Sequence, residues 1–212
     1  ERELGASRTP PSRAGVGYVG GGAMNRLAAI DRLRGIVMVL MALDHARDFF
    51  GDPKDDPTRL ATTTAALFFT RWITHYCAPV FVMLAGTSAY LMRARGDSPR
   101  EVARFLATRG LWLIVLELTV VRVGWLFDLT FQINVLQVIW AIGWSMLTLA
   151  ALVALPSRVV GGLGLATIVL HNLLDRVPHA PSWLWTVLHE PGRIGRFVVV
   201  YPLVPWVGVI AV

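Results

Sequence analysis

The sequence predicts an all-α fold, a polytopic transmembrane helix bundle, and three observations carry that reading. Long apolar runs recur along the chain. Charge is scarce, at 16% of residues against 55% hydrophobic, where a soluble domain carries about 25% charged residues. The arginines gather in particular connections between the apolar runs instead of forming one stripe. Backbone groups in lipid must be satisfied within their own segment, so apolar runs of spanning length are helices.

The elements follow in chain order. Residues 1–23 are rich in Gly, Pro, Ser and Arg, cannot bury a core, and are expected to form a disordered N-terminal extension. Met24-Asn25-Arg26 reads as a natural start, so residues 24–212 form the membrane domain. The spans are predicted at Leu33–Phe50, Leu67–Met92, Phe105–Phe127, Ile133–Leu155 and Val159–Leu174, the last short and glycine-rich. A sixth begins near Phe197 and reaches Val212, short of the about 20 residues a crossing needs. The chain therefore reads as a C-terminally truncated fragment with about five to six spans. The first span is not a cleaved signal peptide: Asp44-His45-Ala46-Arg47-Asp48 follows its apolar core where a small-residue cleavage site belongs.

Orientation follows from the arginines. Arg26, Arg32 and Arg34 precede the first span, and Arg93, Arg95, Arg100, Arg104 and Arg109 fill the second connection and the start of the third span. The intervening loop, Gly51–Thr64, is acidic on balance. Positive-inside places the N-terminus and the second connection in the cytoplasm. The turn near Asp128 and the segment Asp175–Arg196 then lie outside, the latter an interfacial or re-entrant stretch anchored by Trp183 and Trp185. The net charge of +6 is thus topological, and nucleic acid is not an expected partner. Cys77 is the single cysteine, which excludes a disulfide framework within the chain and suits a small buried hydrophobe.

Ionisable side chains inside apolar spans are expensive, and they usually face a wet cavity or one another. With the topology above, Asp44, His45, Arg47, Asp48, Arg71, Thr74 and His75 all fall in the outer half of their spans. Glu117 lies near mid-span and Arg122 further out. Asn134, Gln137, His171 and Asn172 add to the same layer, and this convergence predicts a polar chamber. Helical spacing puts Asp44, Arg47 and Asp48 on one face and lets Asp48 hold the His45 ring. Pro79 removes the hydrogen bond to the His75 carbonyl and should kink the second span there.

Each of these residues also has a structural use. His45 with Asp48 could belong to an ion-pair network, and His75 could bond a neighbouring backbone. Glu117 and Arg122, five apart, sit on different faces, so each needs a partner on another helix. His171 reads as interfacial, and His179 and His189 as solvent-side. No paired-histidine or paired-cysteine motif occurs, so no metal site is expected, and no nucleophile elbow, Walker loop or dinucleotide fingerprint is present. Ala85-Gly86-Thr87-Ser88-Ala89 would let a neighbouring helix approach closely.

Three blocks, RLAAIDRLRG from Arg26, LDHARDFF from Leu43 and RWITHYCAPVFVMLAG from Arg71, resemble the bacterial branch of the heparan-alpha-glucosaminide N-acetyltransferase catalytic-domain family. The resemblance covers Met24 to Val212, about the N-terminal half of such a protein. It implies a bundle of about ten transmembrane helices in a bacterial inner membrane. It also implies transfer of an acetyl group from cytosolic acetyl-CoA to a sugar or envelope-glycan acceptor. The eukaryotic enzyme uses a histidine near its first two spans. The loop Gly51–Thr64 has none, so His45 and His75 are the nearest counterparts.

The residues support that chemistry on their own terms. A histidine suits the base that deprotonates an attacking amine or hydroxyl, and Asp44 or Asp48 would orient it. Arg71 or Arg47 could stabilise the oxyanion, with Glu117 a further member of the site. Arg93, Arg95, Arg104 and Arg109 could meet coenzyme A phosphates or serve topology alone. The alternatives are a proton-coupled transporter or channel using Asp44, His45, His75 and Glu117, and a structural membrane subunit, alone or as an oligomer.

Overall fold

A computed structural model describes residues 20–52, 56–178 and 182–212, with side chains before residue 28 left aside. The expected disorder of the N-terminal extension, apart from its last residues, therefore lies outside the described residues, as do Lys54, Asp55, His179 and Pro181. Helix α1 runs Gly20–Phe50, so the last residues of that extension are helical. Thr64 caps α2, Ala65–Thr74, by accepting the Leu67 N–H at 3.2 Å. The chain breaks at His75–Tyr76 and resumes as α3, Cys77–Ala94. Pro79 sits in the first turn of α3, where its missing N–H does no harm within that helix but leaves the His75 carbonyl without its donor. The second predicted span is thus two helices joined by a break.

Helix α4 (Pro99–Leu116) starts six residues before the predicted span, because Ser98 and Glu101 form a reciprocal capping box with Pro99 just behind the cap. It passes into a π-helical turn, Glu117–Val121, and then α5, Arg122–Leu126, which Phe127 ends with φ 50°. The predicted fourth span is corrected at its start. Asn134–Leu136 is strand β1, and α6 covers Val138–Leu152. Helix α7, Ser157–Leu170, continues as a 3₁₀ segment over His171–Arg176. The stretch read as interfacial holds α8, Trp183–Leu188, and strand β2, Gly192–Ile194. Phe197–Val199 is β3, not the start of a helix, and α9 begins at Leu203 and runs to Ala211.

The fold is therefore mostly helical with one small sheet, ordered β1-β3-β2. Strand β3 pairs parallel with β1 (Asn134 opposite Phe197) and antiparallel with β2 (Gly192 opposite Val199). Gly195, at φ 56°, opens the two-residue hairpin turn. An all-α fold could not be corrected from local pattern alone: β1 is three residues long, and the partner that holds it lies 63 residues away in sequence.

Small residues decide how closely the helices pack. A Cβ on Gly86 of α3 would stand 1.9 Å from the Ile210 carbonyl oxygen of α9, the close approach anticipated from Ala85–Ala89. A Cβ on Gly110 of α4 would stand 2.6 Å from the Gly143 carbonyl oxygen of α6, and one on Gly143 2.8 Å from that of Gly110; for Gly164 of α7 and Gly208 of α9 the corresponding distances are 2.8 and 3.0 Å. Around these crossings Val82, Val102, Leu106, Met146, Leu149 and Ile210 form the core. Outside it, apolar side chains face outward in numbers: Met38, Val39, Leu111, Trp112, Leu165 and Val169 are all exposed. Among the described residues, Ala65–Ala94 and Ser157–Arg176 are long and apolar enough to cross a membrane.

Candidate functional site

Asp44 is where two helices meet. It lies on α1 one turn before Arg47, and opposite it the end of α2 presents Arg71 and Thr74, themselves three residues apart on one face. Arg71 Nη1 donates to Asp44 Oδ2 at 2.8 Å, Thr74 Oγ1 donates to Oδ1 at 2.7 Å, and Arg47 Nη2 approaches Oδ1 at 2.6 Å. The Asp44 side chain is 13% exposed. Arg47 also donates to Asp48 at 2.8 Å. Two arginines and two aspartates thus form a charge-balanced cluster between α1 and α2. Asp44 accepts from three donors, which suits an anchor better than a base.

The two histidines take different neighbourhoods. Asp48 is engaged by Arg47, so the expected Asp48–His45 pairing is replaced by an arginine bridge, the stronger charge partner winning the carboxylate. His45 follows Asp44 by one residue, about 100° around the helix, and meets α5 instead. Its ring packs edge-on to Trp125 at 5.1 Å, and Phe49 stacks on the same indole at 4.7 Å. The buried His45 Nδ1 has no hydrogen-bond partner among the described residues. His75 is exposed at the break between α2 and α3. It lines a pocket of about 380 Å³ with Arg71, Phe68, Trp72, Tyr76 and Leu60, under the turn at Pro57 and Thr58. That turn is fixed by Asp56, whose carboxylate accepts from the Thr58 hydroxyl at 2.6 Å and is held below the usual range by it. His45 and His75 share no hydrogen bond or ring contact among the described residues.

The sequence profile described as Heparan-alpha-glucosaminide N-acetyltransferase, catalytic, matches residues 26–212. The chain belongs to that family. No curated protein and no solved structure matches it. The family is one of membrane-associated acetyltransferases that generally take acetyl-CoA as donor.

The other residues singled out for this chemistry are dispersed. Glu117 is buried, at 1% exposure, and its carboxylate accepts the backbone N–H groups of Gln137 at 3.1 Å and Trp140 at 3.3 Å. It therefore caps the N-terminus of α6, where the helix dipole favours a negative charge. Arg122 is equally buried and turns to the loop that follows it. Its Nε donates to the Ile133 carbonyl at 2.7 Å, its Nη2 to Asp128 Oδ2 at 2.7 Å, and its Nη1 to the Asp128 carbonyl, with the guanidinium 4.2 Å from the Phe131 ring centre. Glu117 thus finds its partner on another helix, whereas Arg122 pairs with a loop and not with the helix expected for it.

The arginines expected to meet coenzyme A also separate. Arg93 lines a cavity of about 690 Å³ at the far end of α3, together with Tyr90, Leu149, Arg158 and Ile210. Arg95 and Arg104 are exposed outside it, and Arg109 lies over the Phe105 ring at 4.5 Å. This cavity is larger than the His75 pocket, yet it lies well away from the Asp44 cluster.

Sequence reasoning missed Tyr201. Placed by the β3–α9 connection, it lies within electrostatic reach of both Asp44 and Arg71 and packs against Trp206 at 5.3 Å. Nothing local in the Tyr201-Pro202 pair announces this. His189, read as solvent-side, is buried, with a 4% exposed side chain whose Nε2 lies 2.7 Å from Asp175 Oδ1. His171 bonds the Ile168 carbonyl through Nδ1 at 2.8 Å. Among the described residues no group of three metal-ligating side chains converges.

Proposed function

We propose that this chain belongs to a polytopic membrane acetyltransferase that moves an acetyl group from acetyl-CoA to a sugar acceptor, with His75 as the general base. The observation that carries the assignment is the pocket in which His75 and Arg71 stand together between aromatic walls. A base must reach the proton it removes, and His75 is the predicted histidine that opens on a space able to hold an acceptor. In the reaction, His75 takes the proton of the acceptor amine or hydroxyl as the new bond to the acetyl carbon forms. The carbon–sulfur bond then breaks, and the coenzyme A thiolate leaves with that proton. Arg71, held by Asp44, faces the carbonyl oxygen that becomes negative.

The donor side fits the other end of the bundle. From Tyr76 to Arg93, α3 rises about 25 Å, at about 1.5 Å per residue. Arg93 and Arg158 border the larger cavity there, and guanidinium groups suit the phosphates of coenzyme A. Between the two ends, Trp140 Nε1 and Ser145 Oγ on α6 are buried without hydrogen-bond partners among the described residues. Such atoms are costly unless something polar reaches them, and the amides of an extended pantetheine arm would do so. The outward-facing apolar surface supports five to six spans embedded in lipid, with the Arg93 end cytoplasmic in a bacterial inner membrane.

A proton-coupled transporter is the competing reading. It would use Asp44, His45, His75 and Glu117, and two of these carboxylates are engaged, Asp44 by Arg71, Arg47 and Thr74 and Glu117 at the start of α6. The deciding assay incubates vesicle-reconstituted protein with labelled acetyl-CoA and glucosamine. Acceptor-dependent release of coenzyme A, lost in a folded His75→Gln variant, supports the transferase. Proton flux without thioester turnover would remove it.

A further inference from the structure

We infer that the acceptor is a membrane-anchored amphiphile, a sugar carried on an apolar chain, and that it enters the His75 pocket sideways from the lipid. The inference rests on the acetyltransferase reading above and adds the substrate class. It comes from two overlapping faces of α2 and the break that follows it. Phe68, Arg71, Trp72, His75 and Tyr76 line the pocket at helical spacing. Phe69, Trp72, Ile73 and Tyr76 form a second stripe at spacings of three and four, and all of them face outward. Trp72 and Tyr76, 52% and 54% exposed, belong to both faces. The pocket rim and the exposed apolar stripe are therefore one continuous surface, and the pocket opens on whatever medium bathes the stripe. Four large exposed apolar side chains along one short helix and the break that follows it make that medium lipid.

The pocket's chemistry agrees. Among the described residues its polar side-chain groups are those of Arg71, His75 and Thr58, the Tyr76 hydroxyl and the Trp72 indole N–H, and the charge of Arg71 is already matched by Asp44. A free sugar would leave most of its hydroxyls facing Leu60, Phe68 and Trp72 without partners. An amphiphile places its reacting group at His75 and its chain along the Trp72–Phe69 stripe. At about 380 Å³ the space holds a sugar head and little more, so the chain must continue outside it.

The test measures acetyl transfer from acetyl-CoA to methyl, octyl and dodecyl glucosaminide by the reconstituted protein. Each buried methylene adds about fourfold to affinity, or about 0.8 kcal/mol, so KM should fall at least tenfold from methyl to octyl, with kcat little changed. Longer chains also partition into the vesicle, and Trp72→Ala separates that effect. Partition is unaltered in the variant, so a gain that survives Trp72→Ala overturns the inference, and a series flattened by it supports the inference. Equilibrium binding of labelled octyl and methyl glucosaminide to His75→Gln protein gives a readout without turnover. Chain-independent KM with normal transfer would sink the substrate class and leave the transferase standing. If no acceptor is acetylated, the function proposed above fails, and equal binding of the two glucosaminides then overturns the lipid-side entry as well.

Discussion

Arg71 Nη1 lies 2.8 Å from Asp44 Oδ2, joining α2 to α1 directly beside the break that exposes His75. The bond fixes the end of α2 where the helix cannot continue, so the histidine and the arginine keep a defined relation across a discontinuity in the backbone. Thr74 adds a second attachment to the same carboxylate.

Removing that carboxylate should loosen the site as well as weaken the fold. Breaking a buried ion pair costs about 3–5 kcal/mol, and the 30% exposure of Arg71 reduces this to about 1–3 kcal/mol for Asp44→Ala. Asp44→Asn keeps a hydrogen-bond acceptor for Thr74 and should lose less. Thermal unfolding in detergent compares the two.

His75→Gln should lower kcat by at least about 100-fold, the lower end of what a general base contributes. His45→Gln should leave turnover within the same order and instead disturb the packing against Trp125. A reversed ranking in the labelled-acetate assay would transfer the base role to His45.

The helix crossings make a sharp prediction about single methyl groups. Gly86→Ala drives a Cβ into the Ile210 carbonyl and should cost about 1–3 kcal/mol, whereas Gly162→Ala meets nothing within 4 Å. Melting temperatures should fall for the former and hold or rise for the latter.

Acid should undo the loop that cradles Arg122. Hydrogen bonds from Thr130, and then from Arg122, hold the Asp128 carboxyl down to about 2 from 3.8. A carboxyl depressed in the folded state stabilises fully above its unfolded value and ceases to do so as pH falls through the folded one. The melting difference between native protein and Asp128→Asn should therefore be complete at pH 5 and shrink between about 4 and about 2.

Glu117 separates the two functional readings. As a cap, Glu117→Leu strands two backbone N–H groups and should cost about 1–3 kcal/mol, while Glu117→Gln retains an acceptor and most of the stability. Acetyl transfer should survive Glu117→Gln in a protein that still folds. A proton relay through this position would not, as vesicle pH measurements can register.

The sequence by itself determined the mostly helical fold, the family and the polar residues around Asp44, because apolar run length and three- and four-residue spacing are local properties of a chain. It located the break near Pro79 for the same reason: a missing N–H acts on the carbonyl four residues earlier. Only the tertiary structure decided which partner each charge took. Asp48 went to Arg47 and not His45, Glu117 to the start of α6, and Arg122 to the loop at Asp128. It also supplied β1 with a partner in β3 and brought Tyr201 within electrostatic range of Arg71. These outcomes depend on which segments lie side by side, and a carboxylate bonds whichever donor is nearest in space, a distance that sequence separation does not encode.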